Sequence, residues 1–459
     1  MSDITRREFL KRMGAGAAAI GSAALIGCQS NQAQQTDEEG PLGDIPTDKM
    51  TYRTNHNSGD KVSILGYGCM RWPTKPKADG EGEELDQEQI NRLVDKAIEH
   101  GVNYFDTAPV YCQGQSETAT GIALSRHKRD EYLIATKLSN FSPDAQTFEG
   151  AKRMYQNSLK NLQTDHIDYL LLHAIGGNMD DFNRRFIDNG ILDYLITEKQ
   201  QGHIRNLGFS FHGQQEVFDK VMQMHDEGKY HWDFVQIQMN YLDWLHAGVQ
   251  SKYLYDELTK RNIPVVIMEP LLGGRLAKVN DHILHEMKTR EPERTAASWA
   301  FRFCGTRPNV LTALSGMTYM EHLEDNLRSF CPLKPLTDEE LTFIEQMAVE
   351  ILNYPTIPCT ACQYCMPCPY GLDIPGIFSH YNKCINEGTM PTTSQSPEYQ
   401  KLRKAFLIGY DRSVPRLRQA DHCIGCRQCT EHCPQRIDIP AQMERIDQFV
   451  ETLKQGKEF

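Results

Sequence analysis

The chain has 459 residues and a formal net charge of -12 at neutral pH. That length exceeds one ordinary core and predicts a large domain followed by a smaller one. The acidic balance, with no basic stripe interleaved with aromatics, argues against nucleic acid as a partner.

From the N-terminus, Thr5-Arg6-Arg7-Glu8-Phe9-Leu10-Lys11 forms a twin-arginine pattern, and an uncharged Ala/Gly-rich run follows from Met13 to Gly27. The run is too short for an ordinary transmembrane helix and its cationic flank lies N-terminal, as an export signal requires. Leu25-Ile26-Gly27-Cys28 looks like a lipobox. Residues 1–28 therefore predict export by the twin-arginine route and a place on the periplasmic side, with Cys28 lipidated and the membrane reached by that anchor only. Gly14 to Ala19 formally matches a dinucleotide fingerprint, but it lies inside the signal and no strand precedes it. Residues 29–50, poor in large apolar side chains, read as a flexible tether.

Over residues 51–336, short apolar runs alternate with amphipathic helices. The runs are Ile64 to Gly68, Asn103 to Asp106, Tyr132 to Lys137, Ile167 to His173, Ile204 to Phe211, Phe234 to Asn240, Pro264 to Pro270 and Val310 to Gly316. This alternation predicts an α/β fold, a closed parallel (β/α)8 TIM barrel. An open doubly wound sheet is the competitor, but it normally carries a Gly-rich phosphate turn after its first strand, and none is present. One helix illustrates the signal: Asp86 as N-cap, Gln89 three residues on, Ile90, Leu93, Val94, Ala97 and Ile98 at helical spacing, and Gly101 as the stop.

Chemistry in such a barrel collects where strands end. Asp106, Lys137 and His173 each close an apolar run, and Tyr111 follows Asp106 in the next loop. Together with the words Phe105-Asp106-Thr107-Ala108-Pro109-Val110-Tyr111, Ala135-Thr136-Lys137 and Leu171-Leu172-His173, these four resemble the catalytic tetrad of the aldo/keto reductases. A free phenol titrates near ~10, too high for efficient proton donation at neutral pH. The resemblance implies that Lys137, held by Asp106, brings the Tyr111 proton closer to transferable. It also implies that His173 donates to a substrate carbonyl while Tyr111 protonates the alkoxide, or the reverse for an alcohol. By the same resemblance Ser210 and Gln236 would hold a nicotinamide carboxamide, and Met268 would lie where a ring often stacks. Gly316, Met317, Thr318 and Asn326 would take the adenosine end. NAD(P) is thus a candidate cofactor, although the Lys and Arg that clamp a 2′-phosphate are missing.

Eight of the 14 cysteines fall in two runs within residues 337–459. Cys359, Cys362, Cys365 and Cys368-Pro369 form the first, and Cys423, Cys426, Cys429 and Cys433-Pro434 the second. The second has the bacterial ferredoxin spacing. Cys368-Pro-Tyr-Gly-Leu-Asp-Ile-Pro375 parallels Cys433-Pro-Gln-Arg-Ile-Asp-Ile-Pro440, so the halves look like a pseudo-symmetric pair. Structural zinc is the alternative for Cys-x-x-Cys pairs, but paired triplets each followed by Cys-Pro point to two 4Fe-4S clusters in a small, mainly helical ferredoxin-like domain. In such pairs the fourth ligand usually serves the other cluster. That rule assigns Cys433 to the first trio and Cys368 to the second, although the first run is one residue short before Cys368. Cys69, Cys112, Cys304, Cys331 and Cys384 read mostly as small buried hydrophobes, and the stretch from Thr389 to Arg418 as a helical insertion or docking surface.

The sequence thus predicts an exported iron-sulfur oxidoreductase of aldo/keto reductase type acting on a small carbonyl or alcohol, with sugars among the candidates. A redox protein or quinone-linked carrier would be its electron partner. The competing expectation is an electron-transfer or binding subunit whose barrel is catalytically inactive, because hydride chemistry moves electrons in pairs and clusters move them singly.

Overall fold

Each apolar run is a strand in the computed structural model, which describes residues 44–246 and 248–456. The twin-arginine pattern, Cys28 and most of the tether lie outside the described residues. The strands are β1 (Leu65–Gly68), β2 (Tyr104–Asp106), β3 (Leu133–Leu138), β4 (Ile167–Ile175), β5 (Ile204–Phe211), β6 (Phe234–Gln238), β7 (Val265–Met268) and β8 (Val310–Ser315). All pair in parallel with their sequence neighbours, and β8 pairs with β1 to close the barrel. Being covered on both faces, these strands carry continuous apolar residues rather than alternating ones.

The barrel interior is filled by Tyr104, Leu133, Ala135, Tyr169, Leu171, Phe234, Val266, Leu311 and Leu314. Val62 joins them from an antiparallel hairpin, Tyr52–Thr54 with Lys61–Ser63, that precedes β1. Most of these side chains belong to strand starts, so the hairpin plugs the N-terminal end and leaves chemistry to the other mouth. The outer helices behave as their spacing predicts. In Gln87–Glu99 the side chain of Asp86 accepts from the Gln89 amide, Ile90, Leu93, Val94 and Ala97 are buried, and Gly101 ends the turn at φ +87°.

The barrel core extends beyond the expected end at Leu336. The helix Asp338–Leu352, opened by a capping box between Thr337 and Glu340, buries Phe343, Ile344, Met347 and Ala348 in that core. A second core starts at Ile357. It is built from Ile377 and Phe378 of helix Ile374–Asn386, Phe406 and Tyr410 of Tyr399–Ser413, and Met443, Ile446, Val450 and Leu453 of Ile439–Gln455. The stretch between the cysteine runs is therefore largely a core helix, with Ile408 left on its exposed side.

Candidate active site and cysteine loops

Strand β2 ends on Asp106, β3 carries Lys137 next to its last residue, and β4 carries His173, so three strand ends deliver three ionisable side chains to one mouth. Lys137 Nζ donates to Asp106 Oδ1 at 2.6 Å and to the carbonyl of Thr107 at 2.7 Å. Its ammonium lies 4.9 Å from the centre of the Tyr111 ring. The His173 ring meets that of Tyr111 edge-on at 5.9 Å. Tyr111 reaches this position through a tight turn in which Cys112 and Gln113 both take positive φ. The four residues predicted from the sequence therefore converge.

The electrostatics differ from the expectation for Tyr111. Its phenol is held well above the ordinary value, by burial first and then by the neighbouring Tyr364 and Asp106. Lys137, paired with Asp106 and the Thr107 carbonyl, is not among the largest influences on it. Burial also drives His173 well below its usual value, with Lys137, His212 and Arg185 adding to the effect, so the imidazole is neutral near pH 7. Two partners absent from the sequence reading hold that residue, one at the ring and one at the backbone. Ser139 Oγ lies 2.6 Å from His173 Nδ1, and Arg185 donates to the His173 carbonyl at 2.6 Å. A serine two residues past a strand-end lysine carries no signal of its own.

The residues singled out for a nucleotide lie along the ends of β5 to β8. Ser210 accepts from the Ala174 amide at 2.8 Å, and Gln236 Nε2 lies 3.6 Å from Met268 Sδ. The Met317 carbonyl accepts from Tyr67 at 2.5 Å, Thr318 donates to the Arg71 carbonyl at 2.9 Å, and Asn326 donates to Ser315 at 2.9 Å. Gly316 faces the aliphatic part of Arg71.

The two cysteine loops share one backbone. Positive φ occurs at Ala361 and Gln363 in the first and at the equivalent Gly425 and Arg427 in the second. It recurs at Gly371 and Arg436, three residues after Cys368 and Cys433. Asp373 and Asp438 then cap the two following helices, each with a proline in its first turn. Such left-handed residues turn amides toward the sulfurs, and the Ala361 amide indeed donates to Cys359 Sγ at 3.4 Å. Cys359, Cys362, Cys365 and Cys433 line one small hollow with Ile374, Phe378 and Ile439. Burial pushes Cys359 up to about 11 and Cys365 up to about 12, with neighbouring thiols adding to both. Cys423 and Cys426 act in the same sense on Cys429, and Cys368 packs against the second core. Among the described residues no three Cys, His, Asp or Glu side chains converge as ligands of a single ion. A largely apolar hollow ringed by thiols fits a cube bearing one iron at each corner.

The first loop sits on the barrel. Arg71 donates to the Thr360 carbonyl at 2.7 Å, and Arg275 donates to Thr356 at 2.9 Å. Gln238 at the end of β6 exchanges side-chain bonds with Gln435 at 3.2 and 3.0 Å, and Arg436 donates to the Gly213 carbonyl. The Tyr364 phenol, on the loop between two cysteines, is a close electrostatic neighbour of Tyr111.

The aldo/keto reductase family model matches residues 64–349, and the chain belongs to that family of oxidoreductases. The model of the 4Fe-4S dicluster domain matches residues 358–438. The chain is similar to an uncharacterized oxidoreductase, YqkF, of Bacillus subtilis, at 25% identity over 62% of this chain and 92% of that protein. It is similar to the L-galactose dehydrogenase of Arabidopsis thaliana, at 24% identity over 66% of this chain and 94% of that protein. Among solved structures, the aldo-keto reductase AKR11C1 of Bacillus halodurans superimposes with a TM-score of 0.52 at 24% identity, covering 65% of this chain and 96% of that one. The protein is thus an aldo/keto reductase-type oxidoreductase carrying an iron-sulfur domain.

Proposed function

We propose that the barrel interconverts a small carbonyl compound and its alcohol, with Tyr111 as general acid or base. The observation that carries this reading is the buried Asp106 and Lys137 pair beneath the Tyr111 ring, with neutral His173 at its edge. If Ser139 donates to Nδ1 of His173, then Nε2 bears a proton and can donate to the carbonyl oxygen. The Tyr111 phenol carries its proton at pH 7, and an alkoxide is basic enough to take it, so Tyr111 can serve as the acid in the reductive direction. The balance is one carbonyl, two electrons and two protons giving one alcohol. The similarity to a protein named L-galactose dehydrogenase makes sugars and their lactones or aldehydes the first substrates to try.

Two 4Fe-4S clusters supply electrons one at a time when bound. Cys359, Cys362, Cys365 and Cys433 would hold one, and Cys423, Cys426 and Cys429 with Cys368 the other. A membrane-side redox protein or a quinone-linked carrier would be the partner. The address read from residues 1–28 belongs to this proposal: changing Arg6 and Arg7 to Lys is expected to keep the protein inside the cell. Cys28→Ala is expected to release an exported form from the membrane, and unchanged fractionation of both variants removes the assignment.

A second reading, an electron carrier on an inactive barrel, is favoured by one observation: the Tyr364 phenol lies beside that of Tyr111, where a substrate oxygen would have to approach. Turnover of a panel of carbonyls and sugars by the full cluster-loaded chain decides between them. With a one-electron donor, Tyr111→Phe is expected to cost about a hundredfold to ten-thousandfold in rate while leaving cluster absorbance intact. Absence of turnover in the wild type supports the carrier instead.

A further inference from the structure

We infer that the first cysteine loop takes the place of the nicotinamide nucleotide at the barrel mouth, with Thr360 and Tyr364 filling what the fold would otherwise offer that cofactor. The inference stands whether the barrel turns over or only carries electrons, since it concerns what occupies the mouth. Three observations carry it. Gly273, in the loop after β7, approaches Thr360 so closely that an added Cβ would lie 2.5 Å from the Thr360 Cα and carbonyl oxygen. Thr360 is 2% exposed, and its carbonyl is strapped down by Arg71, whose side chain in turn lies against Gly316. The loop therefore rests on residues reached from both β7 and β8, which are the strands expected to flank a bound nucleotide.

Second, most of the groups expected to contact the nucleotide are engaged within the protein, Gln236 excepted, whose buried Oε1 has no hydrogen-bond partner among the described residues. Asn326 is spent on Ser315 and Thr318 on Arg71, while Met317 is 1% exposed. Ser210 is bonded to the Ala174 amide, and Gln238 beside the mouth is paired with Gln435 of the cysteine domain. Third, the charge is wrong at the adenosine end. The helix Met320–Phe330 would present its N-terminus to a phosphate, but Glu321 stands in its first turn and Glu324 and Asp325 follow. Arg71 lies against Gly316, and its guanidinium is turned to the Thr360 carbonyl. A pyrophosphate there would meet carboxylates rather than the Lys and Arg that neutralise such groups elsewhere. The residues of this chain do not fit a nicotinamide nucleotide while the loop is seated.

Calorimetric titration of NADPH and of NADH into the anaerobically purified, cluster-loaded full chain tests this. Hydrogen exchange is followed over residues 358–366 and 316–326 in the same samples. The expected result is no saturable heat up to about 1 mM, the upper end of the usual range for an enzyme's substrates, and unchanged exchange in both segments. Saturable one-to-one binding that protects 316–326 overturns the inference. Two variants outside the tetrad then ask whether the loop is the cause: Gly273→Ala, which wedges Thr360 away, and Arg71→Ala, which cuts its strap. With iron content kept at the wild-type level, at least one is expected to bind nucleotide at least tenfold more tightly than the wild type and to lose protection over 358–366. If both keep their iron and neither gains affinity, the loop is not what fills the site. If neither variant keeps its iron, Thr360→Gly, which removes the side chain but not the backbone strap, is titrated in their place and read the same way. The assay reads binding alone, so its outcome is independent of whether Tyr111→Phe alters turnover.

Discussion

The two cysteine loops have the same backbone and opposite surroundings. The loop from Cys359 to Cys365 is pressed onto the barrel, with Thr360 buried and Tyr364 beside Tyr111. The loop from Cys423 to Cys429 faces outward: Cys426 is exposed, and Ile424 and Leu417 are 62% and 78% exposed. Arg416, Arg418 and Arg427 surround it at the surface, although Arg416 and Arg427 reach Asp421 and Asp438. Local conformation is what the ligand geometry demands, and so it is common to both. Burial and charge are set by what each loop packs against, and they differ: one loop meets the barrel mouth and the other faces solvent.

The largest test of that division is a pair of thiol replacements. The wild type is expected to hold about eight irons, and Cys362→Ser and Cys426→Ser are each expected to lose about half by metal analysis. Turnover with a one-electron donor is expected to vanish in Cys362→Ser, the inward variant. If Cys362→Ser turns over at the wild-type rate while half its iron is gone, the inward loop has no part in the chemistry. Stoichiometric zinc in place of iron removes the comparison altogether.

A smaller effect probes the outward loop. Exposed Ile424 and Leu417 amid arginines suit an acidic redox protein with an apolar centre to its contact face. Ile424→Glu is expected to slow reduction by an acidic ferredoxin about tenfold, a loss of the size expected for one apolar anchor. Reduction by dithionite, which needs no docking, is expected to stay unchanged. Equal slowing by both donors would show damage to the cluster rather than to a surface.

The smallest expected effect concerns the barrel side alone. His212 is pushed down to about 4, by burial first and by Lys137 second, from an ordinary 6.5. Between those values the unfolded chain binds a proton that the folded chain does not, so stability falls as pH drops from about 6.5 toward about 4. His212→Gln removes this contribution, and denaturant midpoints measured across that window are expected to show a shallower acid limb. An unchanged slope would mean that His212 is not buried neutral.

Much of this was legible before the fold was known, for reasons that differ by element. Strands covered on both faces must be continuously apolar, so all eight barrel strands stood out as runs, and their polar last residues marked the mouth. The cysteine spacing was legible because four thiolates round one cube leave little freedom to the chain between them. Sequence neighbours of Tyr111 show the ammonium but neither its burial nor Tyr364, which is 253 residues away along the chain. Ser139 and Arg71 were silent for the same reason. Their partners, His173 and Thr360, are joined to them by the fold alone, and a lone serine or arginine carries no periodicity. The helix Asp338–Leu352 reads as an ordinary amphipathic segment from its pattern, which cannot tell which of two cores its apolar face will join.

That helix sets a leash. Phe343, Ile344 and Met347 fix it in the barrel core, and the second core resumes at Ile357, so the connection after Leu352 can stretch no further than roughly 17 Å. Lifting the first loop from the mouth is therefore never dissociation, because the lifted loop stays at an effective concentration on the order of millimolar. Any free molecule that takes its place must outcompete a tethered rival that dilution cannot remove.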